Sequence, residues 1–401
     1  MTTRLASRLS AVAPSATLAM AARASKLREA GHRVFAFGVG EPDFDTPLVI
    51  REAAKKAIDE GASHYTAVTG TPALKKAICA ATARDRGWTP KPEQVVVSCG
   101  AKHALFNLAL ALFEAGDEVI IPAPYWVSYP EQIRLVGATP VIVPTREEDG
   151  WLLTAEALGA AITSRTRAVI LCTPSNPTGS AYPRERVLEL GAAMQKSPDA
   201  LLIVDEIYAE LVYDGFKHHS PACLLPDLRH RIVVVDGVSK THAMTGWRIG
   251  WSISPPELAK ALDVIQGQST TNPAAVSQEA AIAALTATRD DFMKMRAAFQ
   301  ERRNRMVEGL RALPGVKCRM PDGAFYAFAD VRGLYGLRAG DKELKSDEDV
   351  AFWLLDAAHV AAVAGTPFGA PGYLRFSYAC STATIDEGLS AVRRAIEAAR
   401  R

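Results

Sequence analysis

Short apolar runs alternate with longer amphipathic stretches from about residue 48 onward. The runs are four or five residues long and nearly continuous in Val, Ile and Leu, a pattern typical of strands buried on both faces of a parallel sheet. The stretches between them, such as 101–113 and 183–196, predict helices. The pattern predicts an α/β fold with a mostly parallel central sheet between layers of helices. The predicted strands cover residues 94–98, 118–121, 168–172, 201–204 and 232–235.

A second region follows this alternation. The stretch from about 273 to 312 is rich in Ala, Arg and Glu and predicts helices that leave the central sheet. Beyond it, residues 323–328 and 373–378 have the pattern of strands in a smaller α/β domain. A chain of 401 residues is long enough for one large and one small hydrophobic core. The predicted division is a large domain over 48–285 and a small domain, with an N-terminal arm, formed by 1–47 and 286–401.

Composition and charge narrow the range of ligands. The 46 basic and 44 acidic residues give a formal charge of +2, and no long block of like charge is present, so we expect neither nucleic acid nor a membrane as a partner. The six cysteines are scattered singly, which favours a cytoplasmic protein without disulfides. The eight histidines show no spacing typical of metal ligands, so no metal is expected. Small molecules remain as the expected ligands.

Polar residues lie just past the ends of several predicted strands. In open α/β sheets, ligands bind at the edge where the parallel strands end. This position predicts a binding site formed by side chains that are far apart in the sequence. The residues concerned are Ala101, Lys102, Asn176, Asp205, Ser239 and Lys240.

Lys240 and Arg248 suggest the identity of a cofactor. A lysine amine can form a Schiff base with an aldehyde, and an arginine reached by a short, tight segment can bind a phosphate. The cofactor that carries both groups is pyridoxal 5'-phosphate (PLP). The Ser239-Lys240 pair alone would be weak evidence, because most of the basic residues must be solvated surface groups.

Asp205 and Tyr208 fit a PLP ring. A carboxylate directly after a buried strand needs a partner, and the pyridine nitrogen of PLP is one that it would keep protonated. The alternative is that Asp205 caps a following helix. If that segment is helical, Tyr208 lies near the same face and its hydroxyl can meet the phenolic oxygen of PLP. Otherwise Tyr208 is a half-buried core aromatic residue.

Three further positions have both a binding interpretation and a structural one. Asn176 lies in Asn-Pro-Thr-Gly, which is either a simple turn or a turn whose amide donates to the phenolic oxygen. Ala101 and Lys102 follow Gly100 at the predicted start of a helix, where free N–H groups favour a phosphate. Trp126 offers a plane for stacking on a flat ring, although tryptophans are usually core or interface residues.

Arg375 lies between apolar residues in the run Tyr373-Leu-Arg-Phe-Ser-Tyr378. A buried arginine is rarely without a partner. It either holds the α-carboxylate of a substrate through two hydrogen bonds or forms an internal salt bridge. The sequence leaves both alternatives open.

With these features, the chain resembles the class I/II aminotransferases among the fold-type I PLP enzymes. It is most similar to the aspartate aminotransferase subgroup that includes aspartate/prephenate aminotransferases, from about Ser7 to the C-terminus. The segments that carry the resemblance are Pro14-Ser15-Ala16-Thr17, Gly40-Glu-Pro-Asp-Phe44, Pro124-Tyr-Trp-Val-Ser-Tyr-Pro130, Asn176-Pro-Thr-Gly179, Asp205-Glu-Ile-Tyr208, Lys240 to Arg248 and Arg375-Phe-Ser-Tyr378.

The resemblance implies a role for each matching residue. Lys240, Asp205 and Tyr208 would be catalytic, with Lys240 as the covalent attachment point. The implied cofactor-binding residues are Ala101, Lys102, Trp126, Asn176, Asp205, Tyr208, Ser239, Lys240 and Arg248, together with Tyr65 from the neighbouring subunit. The implied substrate-binding residues are Gly40, Trp126, Asn176 and Arg375, together with Lys102 and Thr17 at the distal carboxylate. The role of Tyr65 implies a homodimer with shared active sites.

The implied reaction is the two-stage, ping-pong transfer of the amino group of L-aspartate, or a related amino acid, to 2-oxoglutarate. An aromatic, prephenate or alanine aminotransferase and a PLP-dependent β-lyase remain as alternatives, because PLP supplies the same electron sink for all of them. The chain departs from the subgroup at two positions. Ala13 replaces a residue that is often basic in relatives that use prephenate, and His242 replaces one that is usually aromatic.

Overall fold

The computed structural model describes residues 3–14, 16–340 and 342–399. Within these residues the chain forms helices and strands that alternate along most of its length. The helices are α1 (Ala16–Glu29), α2 (Leu48–Asp59), α3 (Pro72–Arg86), α4 (Ala101–Leu112), α5 (Ser128–Leu135), α6 (Ala155–Ala161), α7 (Arg184–Ala193), α8 (Pro221–Leu224), α9 (Pro256–Gly267), α10 (Ala275–Thr286), α11 (Asp290–Arg311), α12 (Asp347–Ala358) and α13 (Thr382–Ala398). The strands are β1 (Phe35–Ala36), β2 (Val95–Ser98), β3 (Glu118–Ala123), β4 (Thr139–Pro144), β5 (Thr166–Cys172), β6 (Leu201–Asp205), β7 (Ile232–Gly237), β8 (Gly250–Ile253), β9 (Lys317–Cys318), β10 (Tyr326–Asp330), β11 (Arg338–Ala339), β12 (Lys342–Glu343), β13 (Val360–Ala361), β14 (Val363–Ala364) and β15 (Tyr373–Ser377).

The large sheet has seven strands in the order β2-β8-β7-β6-β5-β3-β4. All neighbouring pairs are parallel except those of β8, which is antiparallel to both β2 and β7. Along β6, Leu202 and Val204 pack into one hydrophobic cluster, and Ile203 packs into the cluster on the opposite face. Because successive strand residues point to opposite faces, the sheet is covered on both sides. The predicted α/β fold is confirmed.

All five predicted strands are present in this sheet, and two strands were not predicted. The first is β4, an edge strand that contains Pro140 and Pro144, residues that lower the strand signal but are tolerated where no neighbour needs the N–H. The second is β8, where Gly250 and Ser252 interrupt the apolar run. Both strands are therefore stabilised by their neighbours rather than by a strong local pattern.

A second sheet has four antiparallel strands in the order β14-β15-β10-β9. The predicted strand at 323–328 begins only at Tyr326, because Ala324 has a positive φ of 58° and its N–H donates to Leu211 O. The separate strand β1 pairs with β13, so residues near the N-terminus lie beside the C-terminal part of the chain. The domain boundaries given above stay a prediction.

Three further properties concern the predicted location and ligands. No helix in the described ranges is both long and apolar enough to cross a membrane. All six cysteines are free thiols, of which Cys79 and Cys318 are buried. No group of three or more His, Cys, Asp and Glu side chains within the described residues is arranged to hold a metal ion. The cytoplasmic location stays a prediction.

Candidate active site

Twelve of the thirteen site residues named from the sequence line a single cavity of about 500 Å³. The cavity lies where β2, β5, β6 and β7 end, and β10 and β15 of the second sheet close its other side. Tyr65 is the residue that the structure does not bring to this cavity. The twelve are Thr17, Gly40, Ala101, Lys102, Trp126, Asn176, Asp205, Tyr208, Ser239, Lys240, Arg248 and Arg375.

One end of the cavity is suited to a phosphate. Helix α4 begins at Ala101 as predicted, and no side chain caps it, so its first N–H groups are available to an anion. Gly100 has a φ of +90°, and a Cβ there would lie 2.5 Å from Arg248 Nη2. Glycine thus allows the guanidinium to lie against the start of the helix. Arg248 Nη1 is held by Thr245 O at 2.8 Å.

Lys240 follows β7 by three residues and is part of the cavity lining. Its Nζ donates a hydrogen bond to Gly40 O at 2.7 Å. Burial lowers the pKa of Lys240 to about 8; Glu41 opposes this shift and Arg248 reinforces it. With this pKa, roughly a tenth of the amine is unprotonated at pH 7, far more than for a solvated lysine, and the unprotonated amine is the form that attacks an aldehyde.

Asp205 is the last residue of β6 and is buried. The hydroxyl of Tyr129 donates to its Oδ2 at 2.7 Å, and the N–H of Ile207 donates to its Oδ1 at 3.2 Å. Burial raises the pKa of Asp205 to about 6, against the effect of these two hydrogen bonds. The segment after β6 is a turn, so Asp205 does not cap a helix. Its carboxylate is available to a cationic N–H group in the cavity.

Tyr208 reaches the cavity through that turn and not along a helical face, which corrects the assumed geometry. Its hydroxyl lies 2.9 Å from the hydroxyl of Tyr326, and both rings are buried. Burial raises the pKa of both phenols, so both keep their protons at neutral pH. The pair can present a proton donor to the cavity.

Arg375 lies in β15 with 2% of its surface exposed. Nη1 donates to Asn176 Oδ1 at 2.8 Å and Nη2 donates to Gly38 O at 2.9 Å. Nε is buried and has no hydrogen-bond partner in the described part of the chain. No carboxylate in that part of the chain forms a salt bridge with the Arg375 guanidinium. The internal salt bridge is therefore absent from these residues. A buried cation in this state favours an anionic ligand.

Lys102 is a further cation in the cavity lining, in addition to Lys240, Arg248 and Arg375. Lys102 Nζ lies 4.9 Å from the centre of the Trp126 ring, a cation–π distance. Burial lowers the pKa of Lys102, and the nearby Arg248 lowers it further. Thr17, on α1, contributes to the lining beside them. Ser15, from the motif that precedes Thr17, lies outside the described residues.

Tyr65 is 89% exposed on a segment that is firmly held. The buried Gln278 donates to Thr66 Oγ1 at 2.9 Å and accepts from the N–H of Thr71 at 2.8 Å. An exposed aromatic ring on an anchored segment is a feature of protein–protein contacts. Its contact with a neighbouring subunit stays a prediction.

The two departures from the subgroup have different surroundings. The N–H of Ala13 donates to Glu131 Oε2 at 2.9 Å, which attaches the N-terminal segment to α5. His242 borders a second cavity, of about 450 Å³, that is lined in part by Arg289 and Glu210. Burial lowers the pKa of His242 to about 4, so the ring is neutral at physiological pH.

Nine further residues line the cavity, and none of them was assigned a role from the sequence. They are Leu18, Glu41, Leu105, Val127, Ser128, Tyr129, Cys172, Ile207 and Tyr326. Trp126 precedes α5, so its three-residue spacing from Tyr129 is not a spacing along one helix and gave no signal of the contact with Asp205. No signal marks Tyr326 either, because its approach to Tyr208 depends on how the two sheets pack together.

Comparison with known proteins decides the family. A family model described as aminotransferase class I and II matches residues 32–392. The chain belongs to this family. It is 44% identical to an aspartate aminotransferase of Rhizobium meliloti strain 1021, across 98% of this chain and 96% of that one. It is 45% identical to an aspartate aminotransferase of Geobacillus stearothermophilus, across 98% and 99%.

Solved structures of the family have the same fold. The crystal structure of the Rhizobium meliloti aspartate aminotransferase superposes with a TM-score of 0.96 at 42% identity, and the match covers 100% of both chains. The resemblance inferred from the sequence is therefore confirmed. Class I and II aminotransferases are PLP enzymes.

Proposed function

We propose that this aminotransferase transfers the amino group of L-aspartate to 2-oxoglutarate, with PLP bound covalently at Lys240. The observation that carries the proposal is that Lys240 and the buried Arg375 line the same cavity. No described carboxylate is a partner of Arg375. Aspartate and 2-oxoglutarate each carry two carboxylates, and Lys102 supplies a further cation in the same cavity. The names of the relatives support the choice of aspartate.

The residues of the cavity fit PLP. The start of α4, Ser239 and Arg248 suit its phosphate, and Asp205 suits its pyridine nitrogen. Tyr208 and Asn176 can donate to its phenolic oxygen, and Trp126 supplies a stacking surface. When bound, PLP supplies an aldehyde that condenses with amines, a ring that accepts an electron pair, and a carrier for the amino group between the two half-reactions.

Lys240 would act twice. Its Nζ first holds the cofactor and, once the substrate amine displaces it, takes the proton from the substrate Cα and delivers it to the cofactor. A pKa of about 8 suits this exchange, because such an amine both accepts and releases a proton near neutral pH. Asp205 would keep the ring nitrogen protonated by supplying a buried negative charge.

The substrate would be held at both ends. Arg375 would bind the α-carboxylate through its remaining donors, and Gly40 is part of the same lining. Asn176 accepts from Arg375 through Oδ1, so its Nδ2 remains free to donate into the cavity. Lys102 and Thr17 would bind the distal carboxylate, which aspartate and 2-oxoglutarate both have.

The proposed assembly is a homodimer in which Tyr65 of each subunit reaches the phosphate in the site of the other. Its exposed ring and its anchored segment support this role. We further propose that the chain divides into a large domain over 48–285 and a small one formed by 1–47 and 286–401. The cavity would then lie between the two domains, so that their closure would exclude water from the reaction.

Steady-state kinetics test the proposal. A ping-pong enzyme gives parallel double-reciprocal plots when L-aspartate is varied at several fixed concentrations of 2-oxoglutarate. We expect such plots for the purified protein, and loss of nearly all turnover in Lys240→Ala. A β-lyase would instead release pyruvate and ammonia, without any oxo acid, from an amino acid that carries a thioether leaving group on Cβ. That result, or a Lys240→Ala variant that retains full activity, would overturn the proposed function.

A further inference from the structure

The hydroxyl of Tyr326 has no assigned role in the fold or in the proposed reaction. It lies at the start of β10, fully buried, and lines the cavity. Its hydroxyl is 2.9 Å from that of Tyr208, and geometry allows either oxygen to be the donor. In the described part of the chain, Tyr208 is the one hydrogen-bond partner of this hydroxyl.

The number of hydroxyl protons limits which hydrogen bonds Tyr208 and Tyr326 can donate at the same time. Each phenol has one proton to donate, and burial keeps both phenols protonated at neutral pH. If Tyr208 donates to Tyr326, Tyr208 has no proton left for a ligand. If Tyr326 donates to Tyr208, the proton of Tyr208 is free to point into the cavity. An ionised phenolic oxygen is purely an acceptor, so it selects the second arrangement.

The surroundings hold the Tyr326 ring in place for this task. The guanidinium carbon of Arg375 lies 4.5 Å from the centre of the ring, a cation–π contact, and Phe325 packs against it at 4.7 Å. A Cβ at Gly40 would lie 3.1 Å from the hydroxyl, so glycine leaves this oxygen uncrowded. The ring therefore contacts the arginine while its hydroxyl meets Tyr208.

We propose that Tyr326 is a positioning residue that donates its proton to Tyr208 and thereby makes Tyr208 the donor to the phenolic oxygen of PLP. The proposal rests on the proposed function, which places that oxygen next to Tyr208. Tyr326 acts through Tyr208 and Arg375 and needs no contact with the reacting atoms.

A measurable consequence follows from cooperativity between hydrogen bonds. A hydroxyl that accepts a hydrogen bond is a stronger donor in turn. A stronger donor at the phenolic oxygen stabilises the ionised form, which lowers the pKa at which the bound cofactor titrates. Other groups that face the two hydroxyls or Lys240 also contribute to the pKa of the bound cofactor. A substitution at Tyr326 leaves these groups in place. They are Cys172, Arg375, Glu41, Asp205 and Arg248.

The experiment compares PLP-loaded wild type with Tyr326→Phe by titrating the visible absorbance of the bound cofactor against pH. We expect the pKa of the absorbance change to rise by about 0.5 unit in the variant. The KM for L-aspartate should change less than about twofold, because phenylalanine keeps the aromatic face over Arg375. Tyr326→Leu, which loses that face as well, should raise both the pKa and the KM.

Tyr378→Phe is the matched control. Tyr378 is fully buried, donates to Ala324 O at 3.3 Å and lies outside the cavity lining. Tyr378→Phe should leave the pKa of the absorbance change unchanged. This control therefore distinguishes the loss of any buried hydroxyl from the loss of the Tyr326 hydroxyl. A rise as large in Tyr378→Phe as in Tyr326→Phe would overturn the proposal.

A double-mutant cycle with Tyr208→Phe tests whether the effect passes through Tyr208. In that background, Tyr326→Phe should add no further shift. A shift of full size without Tyr208, or a pKa that falls or stays constant in Tyr326→Phe, would overturn the role of Tyr326. Failure of the proposed function would look different: without PLP at Lys240 wild type would show no visible band, and with another PLP reaction the band would titrate but L-aspartate would yield no oxaloacetate.

Discussion

Arg375 donates a hydrogen bond to Asn176 Oδ1 at 2.8 Å, although the two residues are 199 positions apart. The bond joins β15 of the four-stranded sheet to the turn that follows β5 of the seven-stranded sheet. It fixes the Asn176 amide with Nδ2 as the remaining donor. It also places the buried guanidinium at the junction of the two sheets, so that binding of a carboxylate there depends on both.

Replacing Arg375 by lysine should impair substrate binding strongly. An ammonium group cannot match the planar fork that now reaches Asn176 and Gly38 while leaving Nε free. We expect kcat/KM for L-aspartate to fall roughly 100-fold, a loss of about 3 kcal/mol. The matched control is Arg332→Lys, which changes an exposed arginine paired with Asp330. Equal activities of the two variants would contradict the role of Arg375.

The lowered pKa of Lys240 predicts how PLP attachment depends on pH. The amine must be unprotonated to attack, and its pKa is lowered from 10.5 to about 8, mainly by burial. The rate of attachment to the apoenzyme should rise about tenfold per pH unit below that pKa and level off above it. Stopped-flow absorbance measures this rate. A rate that keeps rising to pH 10 would mean that Lys240 titrates as an ordinary solvated lysine.

A variant of Glu41 provides a second check on the same titration. Glu41 raises the pKa of Lys240, and its carboxylate accepts a hydrogen bond from Thr245 Oγ1 at 2.8 Å. Glu41→Gln keeps the shape and removes the charge. The plateau in the attachment rate should therefore begin at a lower pH than in wild type, and a shift toward higher pH would contradict this electrostatic explanation.

Arg86 is predicted to be essential for stability. Its guanidinium is buried and pairs with Glu206 at 3.1 Å, with Asp236 at 2.8 Å and with Glu210. Arg86→Met would remove the one cation paired with Asp236 in the described part of the chain. Glu210 would keep Arg289, and Glu206 would keep His218. The loss of this buried partner of Asp236 should cost about 3–5 kcal/mol. The neighbouring Arg84 has a half-exposed side chain that pairs with Asp85, so Arg84→Met should cost less than about 1 kcal/mol. Urea unfolding of both variants measures the difference, and equal midpoints would contradict it.

Hybrid dimers test the role of Tyr65. Tyr65→Ala and Lys240→Ala should each be nearly inactive as pure proteins. If Tyr65 completes the site of the other subunit, a hybrid dimer contains one site with both native residues. Co-expression of the two variants should then restore about a quarter of wild-type activity, since half of the dimers are hybrids with one intact site each. No recovery in isolated hybrids would place Tyr65 in its own subunit or outside the site.

The sequence was sufficient for the parts of the site that depend on strand ends. Asp205 and Lys240 follow apolar runs that form adjacent parallel strands, so both side chains lie at the same edge of the sheet. Gly100 signalled the start of α4 in the same way. These positions follow from local pattern together with one rule of sheet topology.

The remaining parts depend on contacts between distant segments. Tyr129 approaches Asp205 across 76 positions and Tyr326 approaches Tyr208 across 118, and neither contact has a local signature. The two alternatives for Arg375 could be separated only once its neighbours in space were known. The role of Tyr65 depends on a second chain, so neither the sequence pattern nor one subunit decides it.

The most direct test of the proposed reaction is a single half-reaction. PLP-loaded protein is mixed with excess L-aspartate, no oxo acid is added, and the oxaloacetate released per subunit is measured. We expect about one oxaloacetate per subunit and then no further release until 2-oxoglutarate is supplied, because the amino group stays on the enzyme. Continuous release of ammonia from L-aspartate without 2-oxoglutarate, or no oxaloacetate at all, would contradict an aspartate aminotransferase.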